Sequence, residues 1–84
     1  MDDVHVIVTG LIEQVTDVPA EEITADTRFD GLDNWTSFAA LRLLTLVEEA
    51  FGIGLDFRTY FAAARVGDLA SLVMAARVEE AESA

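Results

Sequence analysis

Few side chains in this chain can do chemistry. It has three serines, Ser37, Ser71 and Ser83, a single histidine, His5, and neither cysteine nor lysine. A thiol or amine nucleophile, a thiolate metal site and a disulfide are all ruled out by composition. His5 falls in a segment with helical spacing and reads as a surface helix residue. Sixteen carboxylates are present, but an acid–base pair needs a cleft that holds two pKa values apart, and 84 residues leave little room for one. The run Asp26-Thr27-Arg28-Phe29-Asp30-Gly31 begins like a calcium loop. Continued, it places Arg28 where an oxygen ligand belongs and Ser37 where a bidentate glutamate belongs, so calcium does not fit. The residues point away from catalysis.

Ser37 is the distinctive hydroxyl. It follows the turn Asp33-Asn34-Trp35-Thr36 and opens a strongly apolar helical segment, whereas Ser71 lies inside a helix and Ser83 in the polar tail. A phosphodiester on a hydroxyl at a helix N-terminus meets backbone N–H groups with no intrahelical acceptor and the positive end of the helix dipole. The plain structural reading of the same turn is that Thr36 or Ser37 caps the helix.

The elements that must position Ser37 follow from periodicity. Val4, Ile7, Val8, Leu11, Ile12 and Val15 recur at helical spacing and predict helix I over about 3–16. From Asp17 to Asn34 the chain holds its one proline, Pro19, with Thr24, Asp26, Thr27, Asp30, Gly31 and Asp33, a composition for turns and caps. In this long loop Ile23, Phe29, Leu32 and Trp35 are the expected anchors into the core. Helix II is expected over about 36–51, with Leu41, Leu44, Val47 and Phe51 as its apolar stripe and Leu43, Leu46 and Ala50 widening it. Arg42, Thr45, Glu48 and Glu49 form its polar strip, and Gly52-Ile53-Gly54 ends it. Asp56 is placed to cap a short helix III over about 56–62, and Leu69, Leu72, Val73 and Ala76 predict helix IV over about 67–80, followed by a fraying tail from Glu79. No segment alternates long enough to argue for strands, so the fold class is all-α, three main helices and a short one. One domain over 1–84 is expected from length.

Composition excludes several partners. The formal charge is −11, and the five cations are all arginines scattered along the chain, which leaves no basic stripe for nucleic acid. No apolar run reaches the roughly 20 residues of a membrane span, and the N-terminus lacks the charged and apolar regions of a secretory signal. A cytoplasmic monomer is expected, whose excess negative charge steers it toward basic protein surfaces.

From helix I to about Val73 the sequence resembles the acyl carrier protein family. Pro19-Ala-Glu-Glu-Ile23-Thr-Ala-Asp-Thr27-Arg-Phe29 looks like that family's first loop, and Asp33-Asn-Trp-Thr-Ser37-Phe38 looks like its modification motif. Fourteen residues after Ser37 comes Phe51-Gly52-Ile53, at the family's spacing from modified serine to helix end, and Val66-Gly67-Asp68-Leu69-Ala70 resembles the start of its last helix. The resemblance implies an acyl-carrier-like four-helix bundle with a long loop between helices I and II. It also implies a 4'-phosphopantetheine arm on Ser37, installed from coenzyme A by a phosphopantetheinyl transferase. The arm's thiol then supplies the sulfur that the chain lacks.

Departures from the family pattern shape the expected partners. The family's usual Asp-Ser-Leu is here Thr36-Ser37-Phe38, without the carboxylate that commonly meets a basic transferase surface. Ala39 and Arg42 stand where fatty-acid carriers commonly show acidic residues, while Glu48 and Glu49 keep an acidic end. Thr36, Phe38, Ala39, Arg42, Glu48 and Glu49 are therefore the expected partner-recognition residues, facing acyl-loading and acyl-accepting enzymes with basic docking surfaces. Arg65 stands where the family often places a capping Thr or Ser. Leu41, Leu55, Tyr60 and Phe61 are candidates for an acyl-chain groove between helices II and III. The Asp-Asn-Trp-x-Ser motif resembles discrete carriers of natural-product, polyketide-type pathways. The Gly-Gly-His-Ser motif typical of peptidyl carriers is absent, which favours an acyl over an aminoacyl cargo. The alternatives are an aminoacyl or peptidyl carrier of the same fold, an acidic helical interaction module that never carries an arm, and a degenerate carrier that keeps the fold but has lost modification, for which Thr36 is the hint.

Overall fold

The computed structural model describes residues 3–83, with side chains through Glu79. Four α-helices follow one another: α1 Asp3–Thr16, α2 Ser37–Phe51, α3 Phe57–Ala62 and α4 Val66–Ser83. Two single 3-10 turns, Ala20–Glu22 and Phe29–Gly31, punctuate the long loop between α1 and α2. Among the described residues there is no strand; the one β-like contact is an isolated antiparallel bridge between Arg28 and Arg65.

α1, α2 and α4 surround a common core. Val8, Ile12, Leu43, Val47, Val66, Leu69 and Val73 are fully buried in it. Burying each such side chain contributes roughly 1.5–3 kcal/mol before conformational entropy is charged against it. The loop is sewn to this core by Ile23, Phe29 and Leu32, all buried, while Trp35 packs on the edge and stays partly exposed.

Two stripes are rotated from their sequence expectation. On α2 the inward face runs through Ala39, Ala40, Leu43, Leu44 and Val47, leaving Leu41 and Ala50 exposed and Phe51 at the margin. Small Ala39 and Ala40 count little in a hydropathy pattern, yet they let neighbouring segments approach α2 closely. On α1, Thr9 and Thr16 are buried while Ile7 is exposed. The hydroxyl of Thr16 donates to the carbonyl of Ile12 at 2.8 Å and accepts from the Val18 N–H at 3.1 Å, so burial leaves it satisfied.

α2 ends where expected of glycine: Gly52 adopts φ 64°, ψ 39°, the left-handed conformation that closes helices. α4 differs from expectation at both ends. It opens at Val66, and it continues through Ser83 instead of fraying from Glu79. The run Glu79-Glu80-Ala81-Glu82 contains only good helix formers and no Gly or Pro to stop it. Near its start, Gly67 donates its N–H to the Ala25 carbonyl at 2.8 Å, and a Cβ at Gly67 would lie 3.1 Å from that same oxygen. A side chain here would push the loop backbone away from α4 by a few tenths of an ångström.

Candidate functional site

The turn leading to Ser37 is held from three sides. Asn34, in the left-handed conformation at φ 64°, donates its side-chain N–H to the Thr16 carbonyl at 2.9 Å, closing the end of α1. Trp35 stacks on Phe29 with ring centroids 4.9 Å apart and 25° between planes. Its backbone N–H reaches the Leu32 carbonyl. Thr36 is extended and caps α2, its hydroxyl accepting from the Ala39 N–H at 3.1 Å, and its carbonyl accepts from the Ala40 N–H at 2.9 Å.

Thr36 takes the capping role, and this leaves the hydroxyl of Ser37 for other work. Ser37 is the first residue of α2 and is exposed, as is Phe38 beside it at 71%. The first turn of α2 carries no acidic residue, so the partial positive charge of the helix end is not offset there. An exposed hydroxyl at such an end fits attachment of a phosphate-linked arm. Among the described residues no cluster of potential metal ligands exists. From sequence, Asn34 enters only as part of the turn before Ser37; its tolerance of positive φ just ahead of a helix is the signal for its anchoring role.

The expected partner-recognition residues separate into two groups. Phe38, Arg42 and Glu49 are exposed on α2, and Thr36 is exposed beside them. Ala39 is only 5% exposed and faces the interior, so it presents nothing to a partner. Glu48 is half-buried, and its carboxylate accepts the Leu55 N–H at 2.9 Å, which makes it a clasp between α2 and the following loop.

The four groove candidates do not share a groove. Tyr60 and Phe61 line a cavity of about 70 Å³ together with Phe29, Trp35, Ala40 and Ala63. Leu55 lies in a different one, about 250 Å³, with Leu72 and Ala76 of α4. Leu41 is 44% exposed on the outer side of α2 and lines neither. The reason is the rotated face of α2, which turns Leu41 outward and brings Ala40 toward α3. Tyr60 is buried and its hydroxyl donates to the Ala40 carbonyl, fastening α3 to α2. Burial pushes its phenol well above the usual tyrosine range.

Asp56 caps α3, its carboxylate accepting the Thr59 N–H at 3.0 Å and the Thr59 hydroxyl at 3.2 Å. These hydrogen bonds, the backbone one first, hold its carboxyl below the usual range. At α4 the residue before the helix, Arg65, contributes no cap. Instead the carboxylate of Asp68 reaches back to the N–H groups of Arg65 at 3.0 Å and Ala64 at 3.2 Å.

Comparison with known proteins agrees with this geometry. The family model described as "phosphopantetheine attachment site" matches residues 7–73. The fold is similar to the solution structure of a holo acyl carrier protein from Geobacter metallireducens, with 25% sequence identity and a TM-score of 0.82, covering 100% of this chain and 95% of that one. No curated protein sequence matches the chain.

Proposed function

Because the chain belongs to the phosphopantetheine attachment-site family and is a carrier, not an enzyme, we propose that Ser37 bears its 4'-phosphopantetheine arm. The observation that carries this reading is the exposed Ser37 hydroxyl at an α2 start whose cap is supplied by Thr36 and whose first turn holds no carboxylate. When attached, the arm supplies a thiol that holds an acyl group as a thioester. The protein's residues do the rest: Asn34, Trp35 and Thr36 fix the direction from which the arm leaves. Tethering raises the effective concentration of cargo at a partner's active site without tight binding.

The partners proposed are a phosphopantetheinyl transferase and the enzymes that load and accept the acyl group. Phe38, Arg42 and Glu49 form the surface they would meet. With Thr36 in place of a carboxylate and Arg42 exposed on α2, the transferase is one tolerant of a neutral neighbour. The pathway proposed is a dedicated, polyketide-type one and not housekeeping fatty-acid synthesis. Among the described residues no helix is long and apolar enough to cross a membrane. A cytoplasmic monomer suits the strongly acidic composition.

Incubation of the apo protein with coenzyme A and a broad-specificity transferase tests the reading by intact mass. One phosphopantetheine per chain is expected, and none on Ser37→Ala. An unmodified wild-type chain, beside a control carrier that is modified, would favour the acidic interaction module or a degenerate carrier instead.

A further inference from the structure

The cavity beneath Trp35 has a shape that discriminates among cargoes. Its inner part, about 70 Å³, is walled by Phe29, Trp35, Ala40, Tyr60, Phe61 and Ala63. An outer part of about 250 Å³ shares Phe29, Trp35, Phe61 and Ala63 and opens past Arg28 and Asp30. A dry cavity of about 150 Å³ suffices to take up a benzene molecule. The outer part exceeds that volume but is open to solvent on one side, so it holds one ring against its aromatic wall, while the narrow inner part leaves no room for a second.

Three observations make this cleft a preformed seat. Its aromatic walls are already arranged against one another, Phe29 stacked on Trp35 and Tyr60 edge-on to Phe61 at 5.0 Å between centroids. Its two sides are stitched together by backbone hydrogen bonds, Phe29 N–H to the Ala64 carbonyl at 3.1 Å and Val66 N–H to the Thr27 carbonyl at 2.9 Å. Its inner end is closed by the Tyr60 hydroxyl bonded to the Ala40 carbonyl, and the next residues of the same inward face of α2, Leu43 and Val47, are fully buried. A long alkyl chain could go deeper only by parting α3 from α2 and stranding that buried hydroxyl.

The cleft also lies within easy reach of the arm. Trp35 precedes Ser37 by two residues, and Ala40 is bonded to Thr36 within the first turn of α2. At the mouth, Arg28 is paired with Asp30 through two hydrogen bonds, 3.1 and 3.2 Å, so the rim offers a charged cargo no unpaired opposite charge.

From these features, and resting on Ser37 as the attachment point, we propose that the cleft between Trp35 and Phe61 seats a compact, uncharged, ring-sized acyl group, an aryl thioester, and does not sequester a long alkyl chain. The ring stacks against the aromatic walls, with the thioester directed back toward Ser37.

Trp35 is the chain's one tryptophan, so its emission reads the cleft directly. Apo protein is converted with benzoyl-, dodecanoyl- or free coenzyme A by a broad-specificity transferase, and intact mass confirms each product. The benzoyl form is expected to reduce acrylamide quenching of Trp35 about twofold relative to the unacylated arm, because a seated ring covers the indole face. The dodecanoyl form should match the unacylated arm. Phe61→Ala, and Phe61→Leu as a milder change at this half-exposed position, should be modified equally and lose the benzoyl protection. Equal quenching of the benzoyl and unacylated forms, or protection by dodecanoyl as great as by benzoyl, overturns the proposal while leaving the attachment reading intact. Failure to gain mass on Ser37 overturns both.

Discussion

The starts of α2 and α4 have the same backbone electrostatics and opposite uses. At α4 the chain fills its own helix end: Asp68 places a carboxylate on the N–H groups of Ala64 and Arg65. Two buried residues, Val66 and Leu69, anchor that end in the core. At α2 a neutral hydroxyl, Thr36, satisfies a single N–H, no acid follows in the first turn, and Ser37 and Phe38 face solvent. A helix end that neutralises itself is structural. One left without a carboxylate and exposed is available to an external phosphate. The contrast supports the proposal that the α2 start is the functional terminus, by what its first turn omits as much as by the serine it contains.

The largest test of this contrast is truncation of one large apolar side chain in the first residues of each helix. Leu69→Ala removes a fully buried side chain, and urea unfolding should show a loss of about 2–5 kcal/mol. Phe38→Ala, at an exposed position of α2, should stay within about 0.5 kcal/mol. A large loss at Phe38 would mean that the α2 start is structural after all. Cap removal is the next step down. Asp68→Ala, which frees two N–H groups, should cost about 1–2 kcal/mol, and Thr36→Ala about 1 kcal/mol. Thr36→Ala should still accept an arm, whereas a role for Thr36 in the chemistry of modification would abolish it.

The smallest effect separates the caps by pH. Asp56 at α3 has a carboxyl held below its usual range by the Thr59 N–H and hydroxyl. Its folded pKa is depressed, so its contribution is present above the ordinary carboxylate pKa of about 3.9 and is lost as pH falls through the lowered value. In an acid titration followed by NMR, the Thr59 amide should shift in that window, while the Ala39 amide, capped by the neutral hydroxyl of Thr36, should not follow it. Parallel shifts of both would contradict the assignment of a purely hydroxyl cap at α2.

The order and kind of the helices were legible in the sequence because apolar spacing and the Gly52 and Asp56 signals act locally. The site was legible in part. Ser37 stood out by position, and Thr36 by its capping chemistry. The face of α2 was not legible to the same degree, because Ala39 and Ala40 carry little hydropathy and their burial depends on how closely α3 approaches. That one rotation moved Leu41 out of the expected groove, while Leu55, in the loop after α2, lies toward α4 and apart from Tyr60 and Phe61. Arg65 looked like a missing cap; the structure shows the cap arriving from three residues downstream, in Asp68. The clasp of Glu48 on Leu55 and the bond from Asn34 to Thr16 join residues seven and eighteen positions apart, beyond the reach of a periodicity argument.

The most direct test maps the arm itself. Cleavage at arginine releases residues 29–42 as one peptide, in which Thr36 and Ser37 are the only residues with a side-chain hydroxyl. Fragmentation of this peptide from the transferase-treated protein should place phosphopantetheine on Ser37, with Thr36 unmodified. A modified Thr36, an arm on the peptide that contains Ser71, or no arm on any peptide would contradict the assignment of the α2 start as the carrier site.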